Sequence, residues 1–317
     1  MGSPPWIERH QVWLYLLAVG AGVGVGAASG VSIPEPLILA PLALLLYATF
    51  VQLPLAHLTT AVTDARYLAA TLLTNFAVVP VVVWALAALT TLDPAVRLGV
   101  YLVLLVPCTD WFIAFSHLGR GDASLATAST PTILLAQFVL LPLYLWTFMG
   151  QTFAEIFEAG PLVRVFVLLI LVPLVAAGAT QRVAERRARA RGWVELLGWA
   201  PVPCLALVLF LIAAAQAPDL VGYLRGMGRV VMVFVAYLVL AAAVGAGMAR
   251  LLRLGPRAAR TLVFSAGTRN SFVVLPFALA LPSGWEAAVA VVVLQSLVEL
   301  LGMLVYLRWV PRLIPDG

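Results

Sequence analysis

Charged residues make up only 10% of this 317-residue chain, where a soluble globular domain carries about 25%. Hydrophobic residues reach 63% and the mean hydropathy is +1.05, so the shortage of charge excludes a soluble fold and leaves a polytopic membrane protein. Cysteine is nearly absent too. The two that occur, Cys108 and Cys204, both sit inside apolar runs, which rules out a disulfide framework and a zinc-ligand spacing. Lysine is missing altogether, so arginine alone carries the positive charge that orients a membrane protein.

What the chain has instead is long apolar runs. A hydrocarbon core of about 30 Å needs roughly 20 residues per helix, and ten runs of that order can be marked off. They fall near 11–30, 33–53, 65–90, 95–118, 124–150, 161–181, 193–216, 228–252, 257–281 and 285–308. The first run ends in the small residues Ala27-Ala28-Ser29-Gly30, as a cleavable signal does. It is long and Gly-rich, however, and its removal would leave an odd number of spans, so it is read as a span.

Terminal segments and even-numbered loops together hold 14 arginines, and the opposite loops hold four, Arg97, Arg164, Arg225 and Arg229. The positive-inside rule then places both termini in the cytoplasm, and the expected location is a bacterial-type cell (inner) membrane. The densest run, Arg182, Arg186, Arg187, Arg189 and Arg191, reads first as a topology determinant. Anionic lipid or nucleic acid is the other reading of such a run; the expected partners are the lipid bilayer and a small inorganic or anionic substrate, with no nucleic acid.

The nineteenth arginine, Arg269, falls in the middle of the ninth span, and only Asp110 and Glu299 among 14 acids lie near the middle of any span. Charges at that depth survive where they pair or line a wet cavity, and they mark functional sites. Two of the three belong to short polar interruptions: Pro107-Cys108-Thr109-Asp110 in the fourth span and Gly267-Thr268-Arg269-Asn270-Ser271 in the ninth, about 160 residues apart. Pro107 lacks an amide hydrogen and clashes with the preceding turn, which frees carbonyls for Thr109 or a ligand. Gly267 permits backbone angles closed to other residues, and Thr268, Asn270 and Ser271 can satisfy the opened backbone with side chains. Half-helix ends then point into the midplane.

Five spans before the loop at 151–160 and five after it give two halves, 1–155 and 156–317, whose equivalent helices run in opposite directions. The expected architecture is therefore an all-α, ten-helix, five-plus-five inverted repeat with helices 4 and 9 broken. Gln52-Leu53-Pro54 and Gln216-Ala217-Pro218, ending the second and seventh spans, match in the same way.

Several strings resemble a known group. Pro107-Cys108-Thr109, followed by Ser116-His117-Leu118 and Gly121-Asp122, resembles the fourth-helix signature of arsenite efflux permeases in the bile acid:sodium symporter superfamily. Thr74-Asn75-Phe76 with Pro80 is similar to that group's Asn-Trp…Pro pattern, and Leu297-Val298-Glu299 to its tenth-helix Leu-Val-Glu. The resemblance implies a panel domain from spans 1, 2, 6 and 7, a core domain from spans 3–5 and 8–10, and a crossing of the two broken helices. Sodium-coupled relatives hold acidic and amide ligands where this chain has Ser265 and Arg269, so an arginine would repel sodium and replace its charge. The permeases' acid after the ninth-helix break is replaced here by Phe272-Val273-Val274, which leaves Asp110 or Glu299 to carry coupling.

Trivalent arsenic is thiophilic, and its neutral hydroxide can exchange a hydroxyl for the sulfur of Cys108, the candidate As(III) ligand, with Arg269 as the expected neighbouring positive charge. Substrate contacts are expected from Cys108, Thr109, Arg269, Asn270 and Ser271, and coupling from Asp110, Glu299 and Gln295, the last two sharing one helix face. Asp110 and Arg269 are expected to pair across the repeat. Cys204 reads as packing, and no cofactor is implied. Export of trivalent arsenic is the leading expectation and organic-anion symport by the same fold the alternative. An acyltransferase is suggested only by the His-x4-Asp spacing of His117 and Asp122.

Overall fold

The computed structural model describes residues 5–29, 33–52, 64–156, 164, 166–216 and 220–316. Regular structure among them is helical throughout, apart from one isolated antiparallel bridge between Pro107 and Arg269. Intrasegment hydrogen bonding is what an apolar solvent demands of a backbone. The helices are α1 (Pro5–Ser29), α2 (Glu35–Gln52), α3 (Ala65–Ala88), α4 (Pro94–Leu104), α5 (Trp111–Leu118), α6 (Ala123–Met149) and α7 (Gln151–Ile156). They continue with α8 (Phe166–Arg186), α9 (Ala188–Leu197), α10 (Pro201–Gln216), α11 (Leu220–Leu251), α12 (Pro256–Gly267), α13 (Ser271–Leu279) and α14 (Ala287–Leu313). Residues Gly30, Leu53, Pro54, Ala217 and Pro218 of the sequence reading lie outside the described residues.

Five helices are long and apolar enough to cross a membrane alone: α3, α6, α8, the stretch Met227–Leu251 of α11, and α14. Arg191–Leu197 and Pro201–Ala215, bent by 40° at their break, make a sixth when taken as one span. That bend falls inside the run read as an unbroken seventh span. Pro201 accounts for it, because proline disfavours the helical region for the residue before it.

Local chemistry sets the helix starts. Asp64 caps α3 by accepting from Tyr67 N at 2.9 Å, and Asp122 caps α6 by accepting from Ser124 N and Leu125 N at 3.0 and 3.2 Å. The second of these matters for function, because the Asp122 carboxylate is engaged at a helix end rather than orienting His117. Inside α3, a π-helical turn spans Thr74–Val78 just ahead of Pro80. Proline cannot donate to the carbonyl four residues back, that of Phe76, and the Tyr144 hydroxyl of α6 donates to it instead. A π turn at Phe166–Leu171 precedes Pro173 of α8 in the same way.

The chain divides into two compact units, Met1–Ala56 with Ala159–Met227, and His57–Glu158 with Gly228–Gly317. In the first, α1 packs on α10, while α2 contacts both α8 and α10 and α9 folds back on α8. In the second, α14 packs along α4 and against α13, and α12 touches α3, α5, α6 and α14. Both broken spans lie in this second unit.

Gly267 closes α12, but its φ is not left-handed, so backbone freedom is not why glycine stands there. A Cβ at this position would meet the Tyr306 ring at 2.5 Å. Close approach of α14 is the reason. Gly267→Ala is expected to lower stability by about 1–3 kcal/mol through overpacking. Gly247→Ala, with nothing within 4 Å of the added carbon, should leave the melting temperature unchanged or raised. Thermal unfolding of the two variants in detergent checks the contrast.

Candidate functional site at two broken helices

The two apolar runs read from the sequence as the fourth and ninth spans are each broken. Helix α4 stops at Leu104 and α5 starts at Trp111; α12 stops at Gly267 and α13 starts at Ser271. The extended segments between them lie antiparallel. Cys108 N donates to Thr268 O at 3.1 Å and Asn270 N donates to Val106 O at 2.8 Å. Each break therefore supplies the hydrogen-bond partners that the other lost. Two helix C-termini and two helix N-termini meet at this crossing, which sets negative and positive backbone ends side by side.

Arg269 serves the negative ends. Its Nη2 donates to Ser265 O at 3.0 Å, Ala266 O at 2.6 Å and Asn75 Oδ1 at 2.7 Å, while Nη1 reaches Leu104 O at 3.4 Å. The guanidinium is 2% exposed and lies over the Tyr237 ring, 5.5 Å from its centroid. Tyr237 in turn donates to Ala266 O at 2.7 Å. A fixed side-chain cation thus occupies an oxygen cage made from the last turn of α12, the end of α4 and the π turn of α3. Asn75 completes the cage wall by donating to Ser265 Oγ at 3.0 Å.

Glu299 and Gln295 lie one turn apart on α14 and are joined, Gln295 Nε2 donating to Glu299 Oε2 at 2.6 Å. The same carboxylate oxygen accepts from the backbone N–H of Arg269 at 2.8 Å. Ser271, the first residue of α13, donates to Gln295 Oε1 at 2.6 Å. A continuous relay therefore runs from the N-terminus of α13 through an amide to a buried carboxylate. Oε1 of Glu299 and Nε of Arg269 are buried without a partner.

At the other break, the Cys108 thiol donates to Asp110 Oδ1 at 3.0 Å. The sulfur is buried beside Phe112, Ala126 and Ile133, and the aspartate is partly exposed at the start of α5. Asn270 Nδ2 donates to Thr109 Oγ1 at 3.1 Å, and Asn270 Oδ1 caps α13 by accepting from Val273 N at 3.2 Å. Thr130 of α6 donates to Thr109 O at 3.4 Å.

The structure brings every sequence-selected residue to this crossing or to the relay behind it, but two of the expected pairings are corrected. No ion pair joins Asp110 to Arg269; the acid holds the Cys108 thiol and the arginine holds carbonyls. Arg269 is likewise no hydrogen-bond neighbour of the sulfur, because the ends of α4 and α12 offer its guanidinium better acceptors. Sequence reading missed Asn75 as a partner of Arg269, although an amide in an apolar run five residues before a proline was visible. It also missed Gln137, a lone amide in α6 that is 1% exposed with both polar atoms unpartnered. Tyr237 carried no signal, since a tyrosine in an apolar helix reads as packing. Among the described residues, no three His, Cys, Asp or Glu side chains gather into a metal cage.

Removing the tethered cation should open the cage. Arg269→Gln is expected to lower the melting temperature, because several charge-assisted hydrogen bonds, each worth about 1.5–3 kcal/mol, disappear together. Sodium or potassium salt at about 100 mM should recover part of that loss in the variant and have no such effect on the parent protein.

No curated protein matches this chain. The profile of the Sodium Bile acid symporter family matches residues 39–222, more than half of the sequence, a stretch that includes the first break and stops before the second. With its apolar helices of membrane-crossing length, the chain is a membrane protein, and it belongs to the Sodium Bile acid symporter family, a family of transporters.

Proposed function

We propose that the protein exports trivalent arsenic as its neutral hydroxide, with antimonite, of similar chemistry, as a second cargo. The carrying observation is the Cys108 thiol, buried at a helix break and hydrogen-bonded to the Asp110 carboxylate at 3.0 Å. In the proposed exchange, the sulfur forms a bond to arsenic as one arsenic hydroxyl leaves. Asp110 accepts the thiol proton and delivers it to the departing hydroxyl, which leaves as water. Nothing is oxidised or reduced. A single sulfur–arsenic bond reverses readily, which suits release on the far side, whereas a three-thiol cage would trap the ion. Thr109, Asn270 and Ser271 are the proposed hydrogen-bond partners of the remaining arsenic hydroxyls, in exchange for bonds they now make within the protein.

The protein is proposed to work by alternating access as a ten-crossing inverted repeat. The unit of α1, α2 and α8–α10 takes the panel role and the unit holding both breaks takes the core role. Glu299, linked through Gln295 to Ser271, is the proposed proton-coupling acid. Sodium has no part in this scheme, because the Arg269 guanidinium already occupies the carbonyl cage at the end of α12. The same engagement weighs against an organic-anion cargo: Nη2 of Arg269 is committed to protein oxygens and presents no free fork to a carboxylate.

Expression in an arsenite-sensitive bacterium should confer resistance. Cys108→Ser is expected to abolish it and Cys204→Ser to retain it; full resistance in the first variant would sink the thiol mechanism. In everted vesicles, arsenite accumulation should proceed at the same rate when choline replaces sodium. Transport of a carboxylate driven by an imposed sodium gradient would instead establish the symporter alternative.

A further inference from the structure

The first unit contains a cavity of about 480 Å³ between α2, α8 and α9, lined by Tyr47, Ala179, Thr180, Val183, Trp193 and Leu197. That volume is typical of small-molecule sites. Its walls are apolar except for Tyr47 and Thr180, whose hydroxyls bond to each other at 2.8 Å. Arg186, the last residue of α8, follows Val183 by three residues on the helix, and Arg187 comes next in extended backbone at the turn into α9. Both arginines are exposed, as are Arg182 and Arg191. No ion pair engages any of them among the described residues, where the recorded pair is Arg260 with Asp316.

Helix α9 adds the third feature. It begins among the arginines and ends in apolar surface, with Trp193 65%, Leu196 60% and, just past its end, Trp199 49% exposed. Basic residues followed by exposed tryptophan and leucine are the signature of a helix lying at the headgroup boundary of a bilayer. An aqueous anion would use the arginines and leave the apolar cavity unused. An apolar molecule would use the cavity and leave the guanidiniums unused. An amphiphile with a negative head uses both.

We propose that this cavity is a binding site for an anionic phospholipid, with the headgroup phosphate on Arg186 and Arg187 and an acyl chain between Tyr47, Val183, Trp193 and Leu197. The site lies wholly within one unit and is independent of what the broken helices carry.

Native mass spectrometry of the full chain, titrated with dioleoylphosphatidylglycerol, dioleoylphosphatidylcholine or glycerol 3-phosphate, tests it. Phosphatidylglycerol is expected to bind at least tenfold more tightly than phosphatidylcholine, and glycerol 3-phosphate not to be retained. Arg186→Gln with Arg187→Gln should weaken phosphatidylglycerol about 30-fold, as the loss of two arginines facing an anionic surface implies. Val183→Trp, which fills the cavity and keeps the charges, should weaken it as well. Equal affinity for the two lipids, or undiminished phosphatidylglycerol binding in either variant, would overturn the proposal. Retention of glycerol 3-phosphate as tight as that of the lipid would overturn it too, by showing a headgroup site that needs no cavity.

Discussion

Two backbone hydrogen bonds, Cys108 N to Thr268 O and Asn270 N to Val106 O, are the constraint on which the rest of the second unit depends. A helix interrupted in hydrocarbon leaves amides and carbonyls that water cannot reach, and each such group costs on the order of several kcal/mol. One broken helix has no means of supplying them. Two broken helices, laid antiparallel at their breaks, complete each other. The arrangement fixes four half-helix ends at one point, so the polar site is a consequence of backbone satisfaction before any side chain is considered.

Side chains then respond to the charge of those ends. The C-termini of α4 and α12 are answered by Arg269, which brings Asn75 and Tyr237 with it. Once the arginine is used in this way it is unavailable to Asp110, and the acid is left to the cysteine. The separation suits the proposed exchange, since an Asp110 locked to a guanidinium would be a poor proton acceptor for a thiol. Glu299, in its turn, binds the backbone N–H of Arg269 rather than its guanidinium. Motion of the ninth-span break therefore changes the surroundings of Glu299 directly, whatever the side chain of Arg269 does.

Much of this was legible in the sequence. Apolar run length located helices in all the marked stretches, because in hydrocarbon a run of that length has few alternatives to a helix. Pro107 and the polar strings at 107–110 and 267–271 marked both breaks for the same reason. Partners were harder to read. Coulomb attraction alone joins Asp110 to Arg269 on paper, whereas the structure offers the guanidinium three carbonyls at helix ends and the Asn75 side chain, and backbone carbonyls leave no mark in a sequence. Gly267 was read for its backbone freedom and is needed for the approach of Tyr306, a contact between spans that no local pattern encodes. The bend between α9 and α10 was hidden by hydropathy, since Pro201 barely lowers the average of an apolar run.

Buried polar atoms without partners separate the two units in kind. Every such side-chain atom among the described residues, on Tyr67, Thr71, Thr74, Arg97, Ser116, Gln137, Arg269 and Glu299, belongs to the unit with the broken helices. A buried polar group left without a partner costs about 1–3 kcal/mol, which a partner supplied by another arrangement or by a ligand would offset. The first unit shows no counterpart among its described residues; its polar contacts, such as Gln181 with the carbonyls of Phe50 and Val51, are closed. Gln137 is the most telling of the set, because its amide carries both a donor and an acceptor to the interior of α6 and uses neither in the state described.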